Sequence, residues 1–166
     1  TRVATGRFLA TQAVTTTDGR TVDGTVQHTR ATAVTTPEAG TGRPSTVVTT
    51  LHAADYSVVS FDGSVTKLFG RGPLAWDQSD DVATDYVTTV TYGADTTLPD
   101  LPGQPGVSPW VAKTQGESAD QQVRTVDVFG GVTYSGVDTT YTRVATGRFL
   151  ATQAVTTTDG RTVDGT

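Results

Sequence analysis

Four aspartates fall within the nine residues that follow Trp76, and carboxylates on a loop are the ligands that Ca²⁺ prefers. They are Asp77, Asp80, Asp81 and Asp85. Calcium loops place their ligands in the order Asp-x-Asp-x-Asp-Gly, which this run does not follow. The same loop could supply the paired carboxylates of a glycoside hydrolase. We favour a solvated acidic loop, with a calcium site at these four residues as the alternative.

The chain has two histidines, His28 and His52, and no cysteine. They lie on different predicted strands, so they could form a catalytic or metal-binding pair only if those strands were neighbours. A zinc site would need both histidines together with carboxylates. Neither the Gly-x-Ser-x-Gly motif of hydrolases nor the Gly-Lys-Ser/Thr ending of a phosphate loop occurs. We therefore expect both histidines to be structural, and we predict no enzyme activity, no catalytic residue and no cofactor.

Aromatic side chains are few, and two roles are open to them. Trp76 and Trp110, with Tyr56, Tyr86 and Tyr92, could form a platform on which sugar rings stack. The other role is to fill the core of a threonine-rich sheet that has few other large apolar side chains. We favour the core, and keep glycan binding as an alternative.

The strongest feature of the sequence is an exact duplication. Residues 1–25, TRVATGRFLATQAVTTTDGRTVDGT, return without change as residues 142–166. This predicts that residues 1–141 are one complete repeat unit and that residues 142–166 begin the next identical repeat. The duplication belongs either to a natural tandem array or to an engineered overlap, in which two copies compete for one place in the fold.

Composition predicts an all-β fold, because valine and threonine dominate and favour half-buried pleated surfaces. Asp-Gly and Gly-Gly pairs recur as hairpin signals at 18–19, 62–63 and 130–131, which predicts serial antiparallel hairpins that build a sheet, tube or shell. The predicted strands are 2–4, 8–16, 26–36, 47–52, 56–61, 65–69, 86–92, 123–129, 132–134 and 137–141. Prolines make 98–109 a surface loop, and 117–122 is the best helix candidate.

Charge and hydropathy exclude some classes of function. The net charge is −5, from 17 acidic and 12 basic residues, and the basic residues do not cluster. Nucleic-acid binding requires basic side chains that neutralise phosphates, so we expect no such partner. No apolar run reaches the roughly 18 residues of a membrane span, so we expect none. Arginine far exceeds lysine, and isoleucine and asparagine are absent, which indicates GC-rich bacterial coding.

Two segments resemble the YD-repeat (rearrangement-hotspot, RHS) family, and the first of them includes most of the duplicated sequence. Residues 140–162 contain Thr-Gly-Arg-Phe-Leu at 146–150 and Asp-Gly-Arg at 159–161, and residues 126–135 read VDVFGGVTYS. Residues 86–102, YVTTVTYGADTTLPDLP, look like linkers in the B/C components of insecticidal toxin complexes. The resemblance implies a long β-strip that spirals into a hollow shell or tube. It also implies that any toxin is a separate C-terminal cargo, which the repeats enclose.

These features lead to one functional hypothesis and two alternatives. We expect a structural, non-enzymatic β-repeat unit of a secreted or cell-surface bacterial protein, whose neighbouring copies join head to tail into a filament or tube. The alternatives are a wall segment of a YD/RHS shell around a toxin cargo, and a carbohydrate-binding domain. The residues expected to make the inter-repeat contact are Arg143, Val144, Phe149, Leu150 and Val155.

Overall fold

The structure is a computed structural model and describes residues 9–70, 76–79, 81–117, 121–145 and 147–166. The predicted all-β fold with hairpin-like neighbours is confirmed, and the described residues contain no α-helix. The strands are β1 (Gln12–Arg20), β2 (Val26–Pro37), β3 (Pro44–Leu51), β4 (Ser57–Val59), β5 (Val65–Leu68), β6 (Tyr86–Ala94), β7 (Trp110–Glu117), β8 (Gln121–Val126), β9 (Val132–Arg143) and β10 (Phe149–Arg161). A 3-10 turn, Ala53–Asp55, separates β3 from β4.

All ten strands belong to one antiparallel sheet, which branches at β2. One edge of β2 pairs with β1. The other edge is shared, because β4 pairs with residues 26–28 and β3 pairs with residues 31–37. The sheet therefore divides into a long strip, β1-β2-β4-β5-β8-β9-β10, and a three-stranded flap, β3-β6-β7. The flap returns to the strip near the start of β10, where a Cβ on Gly147 would lie 3.0 Å from Val111 Cγ1.

Four turns at one end of the strip share one geometry, and glycine explains it. Residues 21–25, 60–64, 127–131 and 162–166 each join their first and fifth residues by a backbone hydrogen bond. The fourth residue of each is a glycine with φ between +87° and +94° in the first three turns and +85° in the last. Three-residue hairpin loops need this left-handed conformation, which glycine adopts without steric cost.

The predicted turn at Asp18-Gly19 is wrong. Both residues lie inside β1, opposite His28 and Gln27, and the chain reverses at residues 21–25. Two Asp-Gly pairs compete within seven residues, and the second, Asp23-Gly24, forms the turn. In that turn the Thr21 hydroxyl and the Thr25 N–H donate to Asp23, whereas Asp18 lies opposite His28 in the β1–β2 ladder.

The core is small and lies on the strip. Phe69, Val132 and Tyr134 form its buried centre, with Trp76 and Val126 packed against them. The Tyr134 ring lies 4.9 Å from that of Phe69 and 5.6 Å from that of Trp76, both in tilted arrangements that aromatic pairs favour. The chain at residues 76–79 is thus fastened over β8 and β9.

Several predicted elements need correction. The helix candidate is wrong in its described residues, because Glu117 ends β7 while Gln121 and Gln122 begin β8. The separate strands 132–134 and 137–141 are one strand, β9. Strand β7 was not predicted, since Lys, Gln, Gly and Glu weaken the strand signal in its sequence. The predicted strand 2–4 lies outside the described residues.

The predicted loop at 98–109 contains no strand. In the described part of the chain, no helix has both the length and the apolar character that a membrane crossing requires.

Candidate joint between repeats

The two copies of the duplicated segment occupy the two ends of the strip. The first copy forms β1, which pairs with the strand that follows it, β2. The second copy forms β10, which pairs with the strand that precedes it, β9. One sequence therefore adopts one extended conformation with two different neighbours. All nine residues of β1 are exposed, as are all residues of β10 except Phe149.

The turn that closes each copy is the same in both. In the first, the Thr21 N–H donates to the Thr25 carbonyl at 2.9 Å, and in the second the Thr162 N–H donates to the Thr166 carbonyl at 3.1 Å. The Thr21 hydroxyl donates to Asp23, and the Thr162 hydroxyl donates to the copy of that carboxylate. These threonine hydroxyls lower the pKa of both aspartates. The two turns form the same hydrogen bonds beside different strands, so their geometry is set by the local sequence.

In the first copy, the edge that faces β2 can be identified from the turn. Alternate residues of an antiparallel strand direct both backbone groups toward the same neighbour. Thr21 bonds across to Thr25, and the Thr35 N–H donates to the Thr11 carbonyl at 2.8 Å, so the odd-numbered residues face β2. The backbone N–H and C=O of Arg20 therefore point away from β2.

In the second copy, the opposite edge is used. The Asp127 N–H donates to the Gly131 carbonyl at 2.9 Å, so Gly131 faces β8 and the next residue, Val132, faces β10. Val132 is paired with Arg161, the copy of Arg20. The backbone groups of this arginine thus point toward the pairing strand in the second copy and away from it in the first. Between them, the two copies use both edges of the same segment.

A row of directly opposed residues crosses the whole strip and links the two copies. It runs through Arg20, Val26, Val59, Val65, Val126, Val132 and Arg161. The row begins and ends on the same residue of the repeat, so the intervening strands add no net stagger along the strand axis. Its six antiparallel steps also return β10 to the direction of β1, and opposed residues share a face. Arg20 and its copy Arg161 therefore match in strand direction, register and face.

The turn tips at this end of the strip interlock in series. A Cβ on Gly63 would lie 2.8 Å from Val128 Cγ1, and one on Gly130 would lie 3.6 Å from Val163 Cγ2. Each turn glycine therefore lies against the apolar second residue of the next turn. Val22, the copy of Val163, is fully exposed.

The start of the second copy is fastened to the flap through Asp95. This carboxylate is 1% exposed and accepts a hydrogen bond from Arg143 Nη2, while Lys113 Nζ lies 3.9 Å away. The Thr97 hydroxyl and N–H donate to it at 2.7 and 3.0 Å. The Thr97 hydroxyl and the Arg143 guanidinium hold the pKa of Asp95 well below its usual range. The sequence does not single out Asp95, whose local signal is limited to the Asp-x-Thr turn.

The other residues expected at the inter-repeat contact lie along the same segment. Val144 begins the turn between β9 and β10, where its N–H donates to the Arg148 carbonyl at 2.8 Å. Phe149 opens β10 opposite Arg143, and Leu150 and Val155 follow on the strand, both with exposed side chains. Their role between repeats stays a prediction.

The aspartates proposed for calcium have separate partners. Asp77 accepts from the N–H and hydroxyl of Ser79, and the backbone bond leads in lowering its pKa. Asp81 accepts from Arg124 and from the Tyr134 hydroxyl. Asp85 accepts from His52 and from the Ala53 N–H, and Asp80 lies outside the described residues. Among the residues that the structure describes, no three His, Cys, Asp or Glu side chains are grouped to hold a metal ion.

The two histidines are engaged in different places. His28 Nδ1 lies 2.5 Å from Asp18 Oδ1, its opposed residue on β1. His52 Nε2 lies 2.8 Å from the Thr32 hydroxyl and His52 Nδ1 lies 3.2 Å from Asp85 Oδ2. A hydroxyl, an imidazole and a carboxylate in this order are the parts of an activated nucleophile. Here they link β2, the end of β3 and the segment before β6. These contacts lie near the point where β2 changes its partner from β3 to β4, so they stabilise the branch.

The two tryptophans are also held apart. Trp76 packs in the core against Tyr134, as the core interpretation predicts. The Trp110 indole N–H donates to the Pro44 carbonyl at 2.8 Å, and the Arg43 guanidinium lies 5.5 Å from its ring centre. Their partners lie on different branches of the sheet, so the two rings do not form one platform.

Comparisons of the chain with models of protein families, with curated proteins and with solved structures found no significant match. The geometry of the two copies is therefore the basis on which a function can be assigned.

Proposed function

We propose that this chain is a structural, non-enzymatic β-repeat unit of a secreted or cell-surface bacterial protein. Its neighbouring copies join head to tail, and residues 142–166 serve as the first strand of the following repeat. The observation that carries the proposal is that the two identical copies pair through opposite edges. A strand that belongs to two successive repeats needs both edges, and each edge is in use in one of the copies.

The exposed area supports an incomplete unit. The chain exposes 10247 Å², whereas a compact monomer of 17.3 kDa exposes about 7,800 Å². The end strands contribute to this exposure, because every residue of β1 and all residues of β10 except Phe149 are exposed. A repeat that covers each neighbour's end strand would recover part of this area, as solenoid repeats do.

A wall segment of a YD/RHS-type shell with an enclosed toxin is the alternative. A shell wall also needs a long strip, and the unstaggered row across β1 to β10 suits either form. Electron microscopy of the parent protein separates the two, because a filament has a regular axial repeat and a shell is a closed hollow particle. A carbohydrate-binding role draws no support from the separate positions of Trp76 and Trp110.

The shared strand can be tested with a disulfide in a chain of two full periods followed by residues 142–166. One cysteine replaces Thr157 in the shared strand, and the other replaces the copy of Arg30 in the second period. The two cysteines correspond to Thr16 and Arg30 of the first period, which are directly opposed and form a non-hydrogen-bonded pair. Such positions bring Cα atoms to about 4.5 Å, within disulfide range.

We expect this two-period chain to form the intrachain disulfide, with no competing thiol because the sequence has no cysteine. Moving the first cysteine to Thr156 places it on the opposite face and serves as the control, which should remain reduced. A free thiol in the Thr157 variant under oxidising conditions would contradict the shared strand.

A further inference from the structure

We infer that the open edge of β10 binds a second, separate copy of this chain by replacing that copy's β1. The edge would pair with residues 26–34 of the second molecule, which pair with β1 within one chain. This inference rests on the proposed function, because it uses the same joint, but it concerns free chains rather than covalent repeats. The occupant is thus a second copy of the chain, and the surface is the edge of β10 that faces away from β9.

The surface fits this occupant because β10 contains the same residues with which β1 pairs with β2. Residues 153–161 repeat residues 12–20, which form nine opposed pairs with β2. The Asp18 that pairs with His28 has its copy in Asp159. The turn at 162–166 directs the Thr162 N–H toward the same open edge, as Thr21 directs its own toward β2. The β2 strand of the second molecule would therefore pair with β10 as it pairs with its own β1.

The exchange keeps the pairings and orders fewer residues. Before it, β1 and β10 are both held in extended form and each pairs on one edge. Afterwards β10 pairs on both edges, and the displaced β1 regains its conformational freedom. Because all nine residues of β1 are exposed, little buried surface is lost when it leaves. Exposed terminal strands are also the parts of a protein that open most readily.

The opposing factor is that β1 is tethered to β2 by a five-residue turn. A short tether acts as an effective concentration of the order of millimolar, so exchange becomes visible when the protein itself approaches about 1 mM. Each molecule has one acceptor end and one donor end. Such a head-to-tail contact does not close on itself, and repeated exchange gives open chains of molecules.

The test uses the full 166-residue chain with the substitutions Thr157→Cys and Arg30→Cys. Within one molecule these residues lie on β10 and β2, with four strands between them, so they cannot form an intrachain bond. In the exchanged assembly they become directly opposed. After oxidation at about 1 mM, we expect a covalent ladder of dimers and longer multimers on a non-reducing gel.

Two controls share the Arg30→Cys substitution. Thr16→Cys locks β1 onto β2 by an intrachain bond, and this chain should stay monomeric. Thr156→Cys places the second thiol on the other face of β10, and it should give at least tenfold less ladder than Thr157→Cys. Equal ladders from both would show random collision and overturn the inference.

The outcome is decided separately from the proposed function. If the two-period chain forms its disulfide but the 166-residue chain stays monomeric at this concentration, exchange between chains is wrong while the pairing of the second copy with the following period stands. If the cysteine variant does not fold, sedimentation of the unsubstituted chain at the same concentration decides, and a single monomeric species would overturn the exchange.

Discussion

The partly buried ion pair between Arg124 and Asp81 offers a sharp test of the packing on the strip. Asp81 is 8% exposed and Arg124 is 19% exposed, and the Tyr134 hydroxyl donates to both carboxylate oxygens at 3.1 Å. Burial of Tyr134, followed by its hydrogen bond to this carboxylate, raises its pKa to about 12. The substitution Asp81→Asn keeps the shape of the side chain but removes its charge. It leaves the Arg124 guanidinium without a counter-charge.

The size of the effect follows from burial. Removing one partner of a buried ion pair costs about 3–5 kcal/mol. Because Arg124 keeps some contact with water, we take the lower end, about 3 kcal/mol, for Asp81→Asn. In a chain of this length the melting midpoint should fall by roughly 6–12 °C.

The assay is urea unfolding and thermal melting of Asp81→Asn beside Asp55→Asn. Asp55 pairs with Arg30 at 3.6 Å, but the two side chains are 36% and 49% exposed. Exposed pairs are worth little, so this control should lose less than about 0.5 kcal/mol. Equal losses in the two variants would show that burial does not set the strength of the Arg124–Asp81 ion pair. If Asp81 were a calcium ligand instead, Ca²⁺ would raise the midpoint of the unsubstituted chain.

Three further predictions follow from the turns, the flap and the second copy. Gly63→Ala should cost roughly 1–2 kcal/mol for its positive φ plus a clash with Val128, whereas Gly103→Ala, at φ +74° in open space, should show the first part alone in urea unfolding. Because the folded pKa of Asp95 is depressed, its stabilising contribution is present above about pH 4 and is lost as pH falls below it, so Asp95→Asn should flatten the acid limb of a stability–pH curve. A chain of residues 1–141 should melt below the 166-residue chain, because it lacks β10 and the Arg143 partner of Asp95; equal melting midpoints would contradict this.

Much of the local structure could be predicted because its causes are local. Valine and threonine indicate strands at nearly every position where the structure has them, and the Asp-Gly pair at 62–63 forms the predicted turn. The error at Asp18-Gly19 shows the limit, since the same two-residue signal occurs twice and the first pair lies inside the β1–β2 ladder. Strand β7 was missed because its polar residues form a strand only when β6 provides the neighbouring ladder.

The candidate site divides in the same way. The duplication is visible in the sequence, and so is the expectation that residues 142–166 contact a neighbour. The sequence did not indicate Asp95 as the partner of Arg143, because the two are 48 residues apart and meet only when the flap returns to the strip. It also did not indicate that His52 would bridge Thr32 and Asp85, which the branching of β2 brings together.

Composition, turn glycines and the duplicated segment are local features, and they are sufficient to predict an all-β chain in which one segment occurs twice. Which edge each copy uses depends on the tertiary structure, and so does the return of the row from Arg20 to Arg161 without stagger. Register depends on the number of residues in each connection between strands and on which strands become neighbours. Those are long-range properties, and a short β-pattern fits several registers equally well.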